Sequence, residues 1–166
     1  MNIDLEKIKK LPPDVQKDFM RTFLRYNEKK KESQIQSDFL TFVKHMWPDF
    51  IEGKHHKIVA DKFNKLAEGK IKRLIINMPP RHTKSEFASY FLPAWMVGKN
   101  PKLKIIQSTN TTELSVRFGR KAKALMDSPE YKQVFQTRLR EDSQAAGKWE
   151  TQQGGEYYAA GVGSAI

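Results

Sequence analysis

The feature that most constrains this chain is a change of hydrophobic period near residue 73. Leu74-Ile75-Ile76 is a short apolar run rich in β-branched residues, the pattern of a strand buried on both faces. Pro79-Pro80 ends it, and a helix is expected from about Thr83 to Val97. Between them lies Met78-Pro79-Pro80-Arg81-His82-Thr83-Lys84-Ser85. Its spacing and its Lys-Ser ending fit the phosphate-binding pattern G-x-x-x-x-G-K-[ST], with Met78 and Thr83 in the two glycine places. A buried strand before and a helix after are the context such a loop needs.

Each position has a definite chemistry except His82, which reads as a loop spacer. The first N–H groups of a helix have no intrahelical partner and the macrodipole is positive there, so the turn from His82 to Ser85 can cradle a phosphate. Lys84 supplies a mobile cation for β- and γ-phosphate oxygens, and Ser85 a hydroxyl for Mg²⁺. Arg81 can place a bidentate guanidinium on a terminal phosphate. A purely structural alternative stands beside this reading. Thr83 followed three residues later by Glu86 fits a capping box, which satisfies the helix start without any ligand.

The rest of the chain falls into place around that loop. Val15, Phe19, Phe23 with Leu24, and Tyr26 sit at helical spacing over residues 14–31. A second run has Ile35, Phe39, Phe42, Val43 and Met46, stopped at Trp47-Pro48. A third helix is expected from about His55 to Ala67, with Gly69 as its left-handed stop. Leu103-Lys104-Ile105-Ile106 reads as a second buried strand and Thr111 to Met126 as the next helix. Strands alternating with helices in this order predict a parallel sheet with right-handed crossovers. Lys148-Trp149-Glu150-Thr151 and Tyr157-Tyr158-Ala159-Ala160 flank Gly154-Gly155 and read as a hairpin. Gln107-Ser108-Thr109-Asn110 falls at the carboxyl edge of the second strand, where open α/β sheets bind ligands; it is a candidate to sense a γ-phosphate or couple to DNA, or, through Thr109 or Asn110, simply to cap the next helix.

Charge points to the same stretch. The 166 residues hold 30 Lys and Arg against 19 Asp and Glu, a net +11, and residues 71–140 carry 14 basic and 4 acidic groups, or +10 of it. Excess positive charge raises the local concentration of phosphates. On the helix from about 111 to 126, Arg117, Arg120 and Lys123 lie away from the apolar face of Leu114, Phe118, Ala122 and Leu125, and are candidates for DNA phosphate contacts or simply a solvated face. There is no cysteine, which excludes disulfides and Cys-ligated metal and suits a reducing compartment. Met1-Asn2-Ile3-Asp4-Leu5-Glu6-Lys7 lacks an apolar signal core, and no window approaches the length of a membrane span, so secretion and membrane partners are not expected.

Several segments together resemble one family. They are Phe50-Ile51-Glu52-Gly53-Lys54-His55-His56, the run from Arg73 through Glu86, Arg117-Phe118-Gly119-Arg120, Ser128-Pro129-Glu130-Tyr131, and Gly161-Val162-Gly163. In this order, from about residue 40 onward, the chain resembles the N-terminal part of a terminase large subunit, the ATPase-nuclease motor that packages DNA into the heads of tailed bacteriophages. The resemblance implies an N-terminal helical segment over residues 1–48 and, over 49–166, the front part of a P-loop NTPase-like α/β domain with a parallel sheet flanked by helices. It implies ATP and Mg²⁺ as cofactors, with Arg81 and Lys84 catalytic, Pro80, Arg81, His82, Thr83, Lys84 and Ser85 around the phosphates, and Ser85 on the metal. The segment at His55-His56 corresponds to one that contacts adenine in the family; alone, the two residues read as exposed imidazoles at a helix start. The implied partners are double-stranded DNA, a small terminase subunit and the portal, with a homo-oligomeric ring on the portal. The implied location is the host bacterial cytoplasm, transiently at the procapsid.

The chain departs from the family in two ways. The family usually keeps Gly before Lys-Ser, where Thr83 stands here and removes backbone freedom. Phosphoryl transfer also needs an acidic pair at the end of another apolar strand. No such run follows residue 110, and Glu141-Asp142 comes after Arg138-Leu139-Arg140, which does not read as a buried strand. In the family the acidic motif follows shortly after the Gly-Val-Gly segment, so Ile166 is expected to be a truncation point, with the nuclease domain missing and this fragment alone inactive. Two further readings remain: a non-enzymatic basic module that docks on DNA or a partner, and another P-loop enzyme such as a helicase or small-molecule kinase.

Overall fold

The computed structural model describes residues 12–163, and the expectations placed on Met1–Lys7 and on Ile166 lie outside the described residues. The chain divides into two units after Gln34. Helix α1 (Pro13–Ser37) opens with Pro13 at its first position and Asp14 in its first turn, where a fixed φ and a negative charge both suit a helix start. Phe19 stacks on Phe23 four residues on, with ring centroids 6.2 Å apart. The helix runs past residue 31 and takes in Ile35, which the spacing had assigned to the second helix.

In the second unit, helix α2 (Phe39–Met46) starts at Asp38, whose Oδ1 accepts from Thr41 N at 2.7 Å. Asn64 of α3 (Lys54–Ala67) donates to Asp38 Oδ2 at 2.8 Å, and its Oδ1 accepts from Phe39 N at 2.9 Å, so one amide ties the two helices together. Burial alone would raise the Asp38 carboxyl, but the bonds from Thr41 and Asn64 outweigh it and hold the group below its ordinary range. Helix α3 ends as expected at Gly69, with φ +73°.

The expected first strand does not form. Residues 71–80 have no regular structure; Leu74, Ile76 and Met78 are half-buried against the helical core, while Ile75 between them is 86% exposed. A strand exists only where a neighbour supplies its hydrogen bonds, and among the described residues nothing pairs with this run. Only one face of it is covered.

The helix that follows starts at Lys84 but is not a uniform α-helix. Glu86–Phe91 is a π-helical turn and only Leu92–Lys99, helix α4, is regular. Pro93 has no N–H to offer the preceding turn, and the Leu92 N–H reaches back five residues to Phe87 O.

Beyond it come β1 (Lys104–Thr109), α5 (Thr112–Asp127), α6 (Pro129–Val134), β2 (Leu139–Ala145), β3 (Lys148–Thr151) and β4 (Glu156–Gly161). The four strands form one sheet in the order β1-β4-β3-β2. Only β1 and β4 are parallel, with Ile106 opposite Tyr158, and the other two pairings are antiparallel, so the expected parallel sheet is in fact mixed. The reason is β2, a strand that the polar Arg138-Leu139-Arg140 stretch did not announce: it joins β3 through the short Ala146-Gly147 turn, which permits only an antiparallel return. The β3–β4 hairpin does form on its glycines, with Gly154 at φ +88°.

Helix α5 packs on β1 and β4. Gly119 makes the close approach possible, since a Cβ there would lie 2.6 Å from Ala146 O and 2.8 Å from the Tyr157 ring. Thr111, rather than Thr109 or Asn110, caps this helix by accepting from Leu114 N. The core lies between the helices: Phe39 meets Phe63, Phe87 and Trp95 edge to face at centroid distances of 5.1, 5.3 and 5.5 Å. Under the sheet, Trp149 stacks on Tyr157 at 4.6 Å.

Candidate functional site

The loop from Met78 to Ser85 sits where that core meets the surface. Two of its residues, neither of them glycine, have positive φ: Arg81 at +63° and Thr83 at +59°. The second is the more telling, because a β-branched side chain crowds the backbone in the left-handed region. Thr83 stands where the phosphate-binding pattern has glycine, and it has taken up the glycine conformation. Lys84 and Ser85 then turn right-handed into the helix, whose first backbone bond runs from Phe87 N to Thr83 O at 2.9 Å. A left-handed residue followed by right-handed ones gathers successive N–H groups on one concave side, a nest suited to an anion.

The capping-box alternative is not formed. The Thr83 hydroxyl lies 2.6 Å from His82 O and donates to it, and Glu86 turns away to give both carboxylate oxygens to Lys121 of α5, at 2.9 and 3.2 Å. The Lys84 ammonium donates to Met78 O across the loop at 3.1 Å, and His82 Nδ1 donates to Pro80 O at 2.8 Å. Arg81, His82, Lys84 and Ser85 are exposed.

The two histidines of α3 are placed differently. His56 is buried, with its ring between Phe50 and Phe87 at centroid distances of 4.8 and 5.0 Å. Its Nδ1 accepts from Gly53 N at 2.8 Å and its Nε2 lies 2.7 Å from Thr83 Oγ1, so both ring nitrogens are engaged. Burial, followed by the neighbouring His55, pushes the His56 imidazolium down; Glu52 opposes the shift and His82 adds to it. His55 lies against His56 at 3.8 Å and near His82 at 5.7 Å, with a buried Nε2 that finds no hydrogen-bond partner among the described residues. His56, Val59, Ile76, Met78, His82, Thr83, Lys84 and Phe87 enclose a void of only about 10 Å³, so the loop rests on packed side chains.

The remaining candidates are scattered. Arg117 and Arg120 are exposed on α5 and Lys123 is half-buried. Gln107 is buried in β1 and its Oε1 accepts from Tyr157 O–H at 3.1 Å, which turns this member of the Gln107–Asn110 segment into the core. Glu141 and Asp142 are exposed on β2, with Asp142 held by Arg140 at 2.6 Å. Among the described residues, no group of three or more His, Asp or Glu side chains is arranged to hold a metal ion.

Sequence reasoning missed two contacts that shape the site. One is the Glu86–Lys121 pair, for which no local signal exists. The other is His56–Thr83, for which spacing offered a hint: His56 precedes the buried Val59, Ala60 and Phe63 by three, four and seven residues, on the inward stripe of α3. No family model, curated protein or solved structure matches the chain. Among the described residues no helix is long and apolar enough to cross a membrane.

Proposed function

We propose that this chain binds the phosphates of a nucleotide at the 78–85 loop, as the nucleotide-binding front part of a DNA-packaging ATPase of the terminase large-subunit type. One observation carries the reading: Thr83 adopts, at φ +59°, the conformation for which the phosphate-binding pattern uses glycine. A capped helix start has no need of that strain. The residues present fit a triphosphate: the nest of N–H groups opens at Thr83 to Ser85, and Lys84 is exposed beside it. In this reading Lys84 exchanges the Met78 carbonyl for β- and γ-phosphate oxygens, Arg81 neutralises the terminal phosphate, and Ser85 gives its hydroxyl to Mg²⁺. When bound, the ATP–Mg²⁺ unit supplies the phosphoanhydride and the cation that offsets its charge. DNA, the small subunit and the portal in a ring, the host cytoplasm and the procapsid belong to the same proposal.

Calorimetric titration with ATP–Mg²⁺ tests it. Replacing Lys84 with Ala should weaken binding by about tenfold or more, the loss expected of a charge-assisted contact. Equal affinity with and without Lys84 would sink the assignment.

A second reading, a basic module docking on DNA, rests on Arg117 and Arg120, exposed on α5 and joined to no carboxylate among the described residues. It requires DNA binding that weakens with salt, ignores ATP, survives Lys84→Ala and is lost on removing the two arginines.

A further inference from the structure

Thr83 presents a problem that its own residue type cannot solve. A β-branched side chain at φ +59° strains the backbone, and such a conformation persists only when its surroundings enforce it. The enforcing contact is visible, and its hydrogens run one way only. The Gly53 N–H donates to His56 Nδ1, so that nitrogen carries the lone pair and the neutral ring must hold its proton on Nε2. His56 Nε2–H therefore donates to Thr83 Oγ1 at 2.7 Å, and the Thr83 hydroxyl passes its own hydrogen to His82 O at 2.6 Å. The imidazole cannot swing away, because Phe50 and Phe87 hold it on two sides. The Thr83 hydroxyl is thus pinned at both ends, and with it the χ1 of a residue that leads directly into Lys84.

We propose that His56 is a positioning residue for the 78–85 loop: through the Thr83 hydroxyl it holds open the left-handed turn that a glycine would adopt unaided. The phosphate loop is therefore built from two parts distant in sequence, the turn itself and a brace from the first turn of α3. Threonine in the glycine place is then an exchange of conformational freedom for a tertiary hydrogen bond. The inference deepens the phosphate-loop reading in what the turn is for, while the brace itself rests on the geometry alone.

A double-mutant cycle separates the two ideas. His56→Phe keeps a ring between Phe50 and Phe87 but deletes both hydrogen bonds, and Thr83→Gly removes the need for a brace. Unfolding equilibria in urea and ATP–Mg²⁺ titrations are measured for the wild type, each single variant and the pair. His56→Phe alone should raise the unfolding constant and lower the ATP affinity. In the Thr83→Gly background its effect on each should shrink by about fivefold, the equilibrium equivalent of one ordinary hydrogen bond. Should His56→Phe fail to fold, Thr83→Val deletes the same hydroxyl with no change to α3 and should reproduce the loss, with Thr83→Gly restoring it. Nitrogen NMR of the wild-type ring should find the Nε2-protonated tautomer. Additive effects in the cycle, or the opposite tautomer, would overturn the brace. A wild type that binds no ATP would instead overturn the phosphate reading, and the stability cycle would still decide the role of His56.

Discussion

The Met78–Ser85 loop and the Phe87–Trp95 stretch are neighbours on the chain and opposites in character. In the loop, Arg81, His82, Lys84 and Ser85 are exposed and the hydrogen bonds are made by side chains over short sequence distances. One turn later Phe87 and Phe91 are 2% exposed and Trp95 is fully enclosed, among rings from α2 and α3. The difference teaches that residues able to meet a ligand and residues that hold the fold are segregated along one helix. The π-helical turn at Glu86–Phe91 lies at the changeover. His56 is the exception that touches both, through Thr83 on one side and Phe87 on the other.

The largest test of this contrast is Phe87→Ala, which should cost about 3–5 kcal/mol in urea unfolding, because the surrounding rings cannot collapse into the space. A loss under about 1 kcal/mol would mean that the enclosed half of the helix is not the fold's anchor. Asp38→Ala should cost about 1–2 kcal/mol by removing the cap of α2 and the acceptor for Asn64; a neutral result would show that α2 is held by its aromatic face alone.

Acidification should have a smaller effect through His56. Its folded pKa lies below the ordinary value of about 6.5, so below that pH the unfolded chain takes up a proton that the folded chain resists. Stability is therefore full above that value and declines as pH falls from it towards the folded pKa. Glu52 works against the decline, and His55 and His82 add to it. The part due to this residue should vanish in His56→Phe, and an unchanged pH slope in that variant would assign the effect elsewhere.

The smallest expected change in stability is that of Lys84→Ala, within about 0.5 kcal/mol, since its single loop contact is exposed. A large loss there would break the segregation of exposed loop from packed core along the helix. Ile106→Thr should be similarly mild, because Ile106 is 63% exposed on the outer face of β1.

Much of this was legible before any coordinates. The helix α3, the left-handed Gly69 that ends it and the β3–β4 hairpin at Gly154 all rest on residue type and period, which are local properties. Leu74-Ile75-Ile76 shows where that reading fails. The run is apolar and β-branched, but a strand needs a partner, and its residues pack on helices from one side only. The reverse error occurred at Leu139–Ala145, polar in composition yet drawn into the sheet because its neighbour β3 supplies the ladder.

The sequence by itself determined most of the helices and the left-handed glycine turns, because capping, glycine φ and apolar spacing act over a few residues. Only the tertiary structure decided which strands pair, that the sheet is mixed, and that His56 faces Thr83 across 27 residues of chain. Those outcomes depend on which distant surfaces come together. A hydrogen bond between two side chains that far apart leaves no periodic trace in the sequence that encodes it.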